Sequence, residues 1–349
     1  MFTKETISID IGSNYIKYVI GKQQGKKITI NDIGILLTPP ETYRDGNILD
    51  IAILKNYLNE CIVNSGAKNA IVTTQSTAFI SREIIIPIAE EKEIEPLIKF
   101  EIEQYLPIDF NNYIIQYKLM EKFVDDGVNK MKLLVVAYPK ETAEGYLNLI
   151  KELKLKPVAL DVNFNSISKL IRYTSKINDE NFSLNETVAF IDIGHEYLNL
   201  NIFKNGIVEF NRLMPYAGKN INTKLKRNLM ISDEEAEQLK INLEKMETMA
   251  HEKYDAVNEI IKSSMDTFIT EIDRMFQFYK NKSSGNKVDR AYVYGGSSKL
   301  KDIIQNMNVA LGIPVYEINS LSCVNLTKNA VIEGDMHNYI NAIGAMIRL

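Results

Sequence analysis

The chain has 349 residues, 45% apolar and 25% charged, with a net charge of −4. That length exceeds one compact core and suffices for two or more packed domains. The weak net charge gives no reason to expect nucleic acid or an anionic membrane surface as a partner. No stretch reaches the ~18 uncharged apolar residues of a spanning helix. The two cysteines, Cys61 and Cys323, and the three histidines, His195, His251 and His337, are too scattered for a disulfide framework or a metal cluster. Residues 1–6 run straight into a strand pattern with no leader-like segment. A reducing, cytoplasmic address is the expectation.

The segment Thr6-Ile7-Ser8-Ile9-Asp10-Ile11 predicts a strand that bends at Gly12-Ser13-Asn14; residues 15–20 resume the pattern and residues 26–30 supply a third strand. Ile51, Leu54, Leu58 and Ile62 share one face of a helix predicted over 51–64. Ala70-Ile71-Val72-Thr73-Thr74 suits a buried parallel strand. The character then changes. An acidic start, Glu90-Glu91-Lys92-Glu93, opens a helix carrying Ile94, Leu97, Ile98, Ile102, Tyr105 and Leu106, closed by Pro107. Residues 113–120 and 132–138 read as strands around the turn Asp125-Asp126-Gly127, and a helix follows over 141–153. Together they form a small α+β unit inserted into the first domain, to which a helix over 164–173 returns.

At residue 187 the opening repeats. Val188-Ala189-Phe190-Ile191-Asp192-Ile193-Gly194 matches Ile7-Ser8-Ile9-Asp10-Ile11-Gly12, and residues 199–203 continue it. Residues 220–282 read as helical. The strand 290–294 leads into Gly295-Gly296-Ser297-Ser298, a helix, and the strand Pro314-Val315-Tyr316. The apolar-faced helix over 339–347 has one basic residue nearby and no linker before it, so it is expected in the core rather than on a membrane.

Three motifs carry chemistry. In Asp10-Ile11-Gly12-Ser13-Asn14, with Lys17 on the next strand, a glycine bend lets backbone N–H groups approach a phosphate. Asp10 can hold Mg²⁺ through water and Lys17 can supply a point charge. The same residues also make an ordinary strand-to-turn. Asp192-Ile193-Gly194-His195 repeats the unit, so two hairpins could clamp one polyphosphate, with Asp192 orienting a water or a metal-bound one. Gly295-Gly296-Ser297 permits close backbone contact with phosphate or ribose, and equally a plain tight turn. Glu234-Glu235-Ala236-Glu237-Gln238-Leu239-Lys240 reads first as a solvated helix face; only its place between the second hairpin and the glycine pair marks it out.

The ordered set resembles the actin-like ATPase superfamily, and within it the type IV pilus assembly protein PilM family, with the cell-division protein FtsA next. The likeness covers nearly the whole chain. It also rests on Arg212 with Pro215, on Leu311-Gly312-Ile313-Pro314-Val315 and on Ala342-Ile343-Gly344-Ala345. It implies an α/β actin-like ATPase fold: two duplicated RNase H-like domains with an inserted α+β subdomain and a helical subdomain. The implied parts are residues 1–75 with 159–185 (first core), 76–158 (insert), 186–217 with 286–349 (second core, its terminal helix packing back on the first) and 218–285 (helical).

The resemblance further implies ATP and Mg²⁺ as cofactors. Asp10, Gly12, Ser13, Asn14 and Lys17 would form the first phosphate loop, and Asp192, Gly194 and His195 the second. Glu237 and Lys240 would touch ribose and base, and Gly295, Gly296 and Ser297 would pack on the nucleoside. Asp10 and Asp192 would hold Mg²⁺ through water. The implied partner is the N-terminal peptide of a PilN-type bitopic inner-membrane protein, with pilus ATPases as further partners and membrane contact only through the partner. An FtsA-like filament protein and a small-molecule kinase of the same fold are the alternatives. Two segments depart from the family pattern: Pro215-Tyr216-Ala217-Gly218-Lys219 lacks the usual glycine pair, and His195-Glu196 replaces small residues. Slow hydrolysis at most is the expectation.

Overall fold

Residues 6–11 form β1 (Thr6–Ile11), buried along its whole length, as expected of a strand covered on both sheet faces. The chain bends at Gly12 into β2 (Tyr15–Gln24), and β3 (Lys27–Leu37) completes an antiparallel meander. The computed structural model describes residues 5–63, 65–104, 109–243, 251–327, 330 and 334–348. A short ladder of β4 (Tyr43–Arg44) and β5 (Asn47–Ile48) precedes α1 (Ile51–Ile62), whose first turn is capped by Asp50 accepting from the Ile53 amide. The next elements are β6 (Asn69–Thr74), β7 (Ile80–Pro87), α2 (Glu91–Glu103), β8 (Tyr113–Asp125) and β9 (Val128–Pro139). After them come α3 (Lys140–Glu152), β10 (Lys156–Val162) and α4 (Asn163–Tyr173).

A second short ladder, β11 (Lys176–Ile177) and β12 (Glu180–Asn181), leads to the meander β13 (Val188–Ile193), β14 (Leu198–Lys204) and β15 (Ile207–Met214). Helices α5 (Gly218–Leu229), α6 (Asp233–Ile241) and α7 (His251–Lys282) follow. The chain closes with β16 (Arg290–Tyr294), α8 (Ile303–Leu311), β17 (Val315–Glu317), β18 (Val324–Leu326) and α9 (Ile340–Met346).

The two large sheets share one topology. The first runs β10-β6-β1-β2-β3-β18 and the second β15-β14-β13-β16-β17, so each has a meander followed by two parallel strands. The repeat seen in sequence is therefore a repeat of architecture. A third sheet, β7-β9-β8, lies between β6 and β10 in sequence and has its own small core with α2, built on Ile86, Ile98, Ile102, Met131 and Leu133.

One expectation is corrected here, and one helix finds its packing partner. The helix expected over 141–153 is α3, which packs Tyr146, Leu149 and Ile150 against Leu54 and Leu58 of α1 in the core of the first sheet. Its apolar face matches α1, and the Tyr146 hydroxyl lies 2.7 Å from Thr74 Oγ1 and donates to Gly46 O at 2.9 Å. The glycine pair does not lead directly into a helix. A 3₁₀ turn, Gly296–Lys299, intervenes, and α8 starts only after Asp302, which sits at a φ of +62°. Three expected features, the close of the first helix at Asn64, the Tyr105-Leu106-Pro107 stop and part of the helical run near 244–250, lie outside the described residues.

Helices α4 and α9 fill the space between the sheets, where Ile167, Leu170, Ile340 and Ile343 meet Val19 and Ile30 of the first sheet and Phe190 and Tyr292 of the second. Phe190 stacks on Tyr292 with centroids 5.4 Å apart and meets Phe203 edge-on. Helix α9 is buried on every side. Ser8 Oγ donates to Ala342 O at 2.7 Å, and a Cβ on Gly344 would sit 2.4 Å from Ser166 O. Only glycine allows that approach.

Candidate functional site

Each meander opens with a hairpin of the same design. The Gly12 amide donates to Tyr15 O at 3.0 Å, and the Gly194 amide donates to Tyr197 O at 3.0 Å. A Cβ would lie 2.9 Å from Tyr15 O at Gly12 and 3.0 Å from Tyr197 O at Gly194, which explains glycine at both bends. One residue before the end of each first strand stands an aspartate: Asp10 pairs with Lys17, and Asp192 with Asn199.

The carbonyl side of each turn is engaged by neighbours. Thr38 donates its hydroxyl to Gly12 O and its amide to Asn14 O, at 2.7 and 3.0 Å. Gly194 O accepts from Ser297 Oγ at 2.9 Å and from the Gly218 amide at 3.2 Å, and His195 O accepts from the Lys219 amide at 2.7 Å. With the carbonyls held there, the turns have N–H groups to offer an anion.

All thirteen residues singled out from sequence line one cleft of about 770 Å³. Gly295 has a φ of +92°, and a Cβ there would fall 2.3 Å from Asp192 Oδ1, so the glycine turn lies directly on the second hairpin. Gly296 faces open space. From the helical side, Lys240 pairs with Glu237 at 2.6 Å, and Asn222 donates to the same carboxylate at 2.7 Å.

Several cleft residues left no signal in sequence. Asn341, on α9, donates to Asp192 Oδ2 at 2.8 Å and to Asp10 Oδ2 at 3.4 Å. Gln75 Oε1 accepts from Asn199 at 3.0 Å and from Asn163 at 3.3 Å, tying the two sheets together. Asp45 and Tyr197 both line the cleft, and Asp45 accepts from the Thr77 amide at 2.9 Å.

Burial sets the electrostatics. It pushes Asp192 up to about 6, with the Asn341 hydrogen bond opposing, Asp10 adding repulsion and Lys17 opposing. Asp10 is raised for the same first reason, against Lys17 and Asn341. Burial, with Lys240 nearby, pushes His195 down to about 4, so its ring is neutral at neutral pH, and its buried Nδ1 has no hydrogen-bond partner. Burial opposes ionisation of Glu237, but Lys240 and Asn222 together hold its carboxyl below the usual range. The two departures from the family pattern meet: Lys219 pairs with Glu196 at 2.7 Å, so the glutamate beside the cleft is neutralised.

This donor set fits a Mg²⁺–nucleotide. Among the described residues no three His, Cys, Asp or Glu side chains form a closed metal site. Two carboxylates suit Mg²⁺, which keeps waters and takes phosphate oxygens as further ligands.

Twin meanders around a shared cleft are the actin-like ATPase fold. Ethanolamine utilization protein EutJ from Carboxydothermus hydrogenoformans has it, at a TM-score of 0.56 and 12% identity over 99% of this chain and 90% of that one. So does MreB 5 of Spiroplasma citri bound to AMPPNP, at 0.51 and 14% over 93% and 94%. A solved PilM–PilN type IV pilus biogenesis complex superposes at a TM-score of 0.82 with 20% identity, covering 98% of this chain and 97% of that one. The sequence model of the type IV pilus assembly protein PilM matches residues 8–349, and the chain belongs to that family. The cell division protein FtsA of Bacillus subtilis (strain 168) is 24% identical over 273 residues, 72% of this chain, and the chain spans only 60% of that protein's length. Among the described residues no helix is long and apolar enough to cross a membrane.

Proposed function

We propose that this chain is a nucleotide-governed scaffold of type IV pilus assembly, which takes ATP with Mg²⁺ in the cleft and holds the N-terminal cytoplasmic peptide of a PilN-type inner-membrane protein. The observation that carries the reading is the pair of hairpins facing one cleft in matching register, with Asp10 and Asp192 brought to a common amide. In this reading the turns and Lys17 bind the polyphosphate, and Glu237 and Lys240 bind ribose and base. Asp10 and Asp192 hold the cation through water, and Asp192 orients the attacking water. Mg²⁺ supplies charge neutralisation at the phosphates. The AMPPNP held by MreB 5 supports the nucleotide assignment by analogy of fold.

The PilN assignment draws on the solved PilM–PilN complex. Its physical support is the inserted sheet, where β8 is an edge strand with Ile114, Tyr117, Leu119 and Val124 exposed. An extended peptide can add to such an edge through main-chain hydrogen bonds, with apolar pockets choosing the side chains. The insert is then best bounded at residues 76–139, with α3 counted in the first core. Anchoring through the partner would keep the protein at the inner face of the cytoplasmic membrane, in reach of pilus ATPases.

Calorimetry with ATP and Mg²⁺ tests the first half of the reading, and no binding at millimolar nucleotide sinks it. Turnover without partners should stay below ~1 s⁻¹, the low end of enzyme rates. Co-purification with N-terminal peptides of candidate membrane partners tests the second half; capture that survives Leu119→Arg and Tyr117→Glu on β8 would remove the edge strand as the site.

A further inference from the structure

At the floor of the cleft stands a side chain that belongs to neither hairpin. Asn341 is buried on α9, and its nitrogen reaches Asp192 Oδ2 at 2.8 Å and Asp10 Oδ2 at 3.4 Å. Its oxygen accepts from the Tyr294 hydroxyl at 3.3 Å, an arrangement that fixes the amide with NH₂ toward the carboxylates. One amide has two N–H donors, so it can serve an oxygen of each carboxylate at once.

The two carboxylates come from equivalent positions of the two sheets and carry like charge, which repels strongly where water is largely excluded. Lys17 counters it from the first hairpin, while position 199, its register equivalent on the second, is an asparagine already bonded to Gln75 and Asn211. Asn341 is rigidly placed for the task. Ser8 holds the Ala342 carbonyl, Gly344 sits on Ser166, and Lys169 donates to the Ala345 and Ile347 carbonyls at 3.2 and 2.8 Å. The helix that carries the amide is thus fastened to the first sheet, while the amide's shorter bond goes to the second.

We propose that Asn341 is a positioning residue that holds Asp10 and Asp192 in register across the cleft when no cation lies between them, and so sets how far nucleotide uptake depends on a divalent cation. For its ligand this rests on the nucleotide reading above; the role in the ligand-free protein does not. An apolar residue at this position leaves the carboxylate pair unsupported. An acid turns it into a three-carboxylate cage, which takes a hard cation without help from phosphate.

The experiment compares melting temperatures of the full chain and its variants, ligand-free and with Mg²⁺ alone, and then ATP affinity by calorimetry across a Mg²⁺ series. Asn341→Asp should melt lower than wild type when metal-free and recover in Mg²⁺ alone, a response the wild type shows weakly. Asn341→Leu should melt lower without recovery and lose about 10–100-fold in Mg²⁺·ATP affinity, the usual cost of losing the groups that orient metal ligands. The exchange variant Asp192→Asn with Asn341→Asp should regain the metal-free melting temperature without regaining nucleotide affinity. A purely structural asparagine would give neither the cation rescue nor the exchange rescue, and absence of both overturns the proposal. So does wild-type nucleotide affinity and Mg²⁺ dependence in Asn341→Leu. If the wild type binds no ATP, the nucleotide reading falls, while the Mg²⁺-only melts and the exchange variant still decide the role of Asn341.

Discussion

The two hairpins at the cleft have the same ladder, the same glycine closure at 3.0 Å and an aspartate at the same register position, yet their surroundings differ. The first carries Ser13 and Asn14 at its tip and Lys17 opposite the aspartate. The second carries His195 and Glu196 and an asparagine opposite. Lys17 therefore gives the first hairpin a cation that the second lacks at the matching position. The second instead has Glu196 at its tip countered from outside by Lys219, its aspartate bonded by Asn341, and its turn clamped by Ser297 and α5. A duplicated scaffold has been kept for shape, while charge has been divided between the copies.

The largest effect should come from breaking that division at its source. In the proposed reading Lys17→Met removes a charge-assisted contact to phosphate, and ATP affinity should fall about 10–150-fold, or ~1.5–3 kcal/mol. At the matching position Asn199→Ala should instead cost stability, ~1–3 kcal/mol, because Gln75 and Asn211 lose a buried partner. Calorimetry and denaturant melts on the two variants separate the outcomes; parallel losses in both would erase the distinction.

Asp192→Asn should have an intermediate effect of opposite sign. Burial pushes the native carboxyl up to about 6, against about 3.9 in an unfolded chain. Between those values the native state binds more protons, so stability falls as pH rises from ~4 to ~6 and stays lost above. The substitution removes that loss. The ligand-free protein should melt about 2–4 °C higher at neutral pH, for ~1–3 kcal/mol, with no gain at pH ~4, while Mg²⁺·ATP protects it poorly.

The smallest effect belongs to the pair that separates this chain from its family pattern. Lys219 is 59% exposed, so Lys219→Met should change stability by less than ~1 kcal/mol. It frees the Glu196 charge, and ATP affinity should drop about two- to fivefold in low salt and recover in high salt. A salt-independent drop would mean that Lys219 touches the nucleotide itself.

Sequence showed the hairpins because their chemistry is local. A buried strand, an aspartate and a glycine bend fall within seven residues, twice. Gln75 and Asn341 were invisible for the opposite reason: each is a lone amide in an apolar or loop context, and its partner on the second sheet lies 124 or 149 residues away. The helix over 339–347 read as core and is core, and that reading hid Asn341, the polar side chain it sends into the cleft. Strands β10, β15 and β18 escaped notice because Lys156-Pro157 opens the first, charged and polar residues interrupt the second, and the third is three residues long. The packing of α3 on α1 was hidden in a similar way, since amphipathic spacing shows that a helix has a partner but not which one.

The packing of α9 bears on how the protein comes into being. Ser8 and Ala342, which touch, are 334 residues apart, and β18 joins the first sheet from nearly as far. On a ribosome adding ~5–20 residues per second, roughly 15–70 s separate the synthesis of those partners. The first sheet is therefore begun before the second and closed after it, with β1 waiting for α9 while the residues between them are made. The second sheet, whose strands are all made before β18 and α9 emerge, can mature earlier. Removal of residues 340–348 would strip from the first sheet the helix that covers it, made hundreds of residues after the strands it seals.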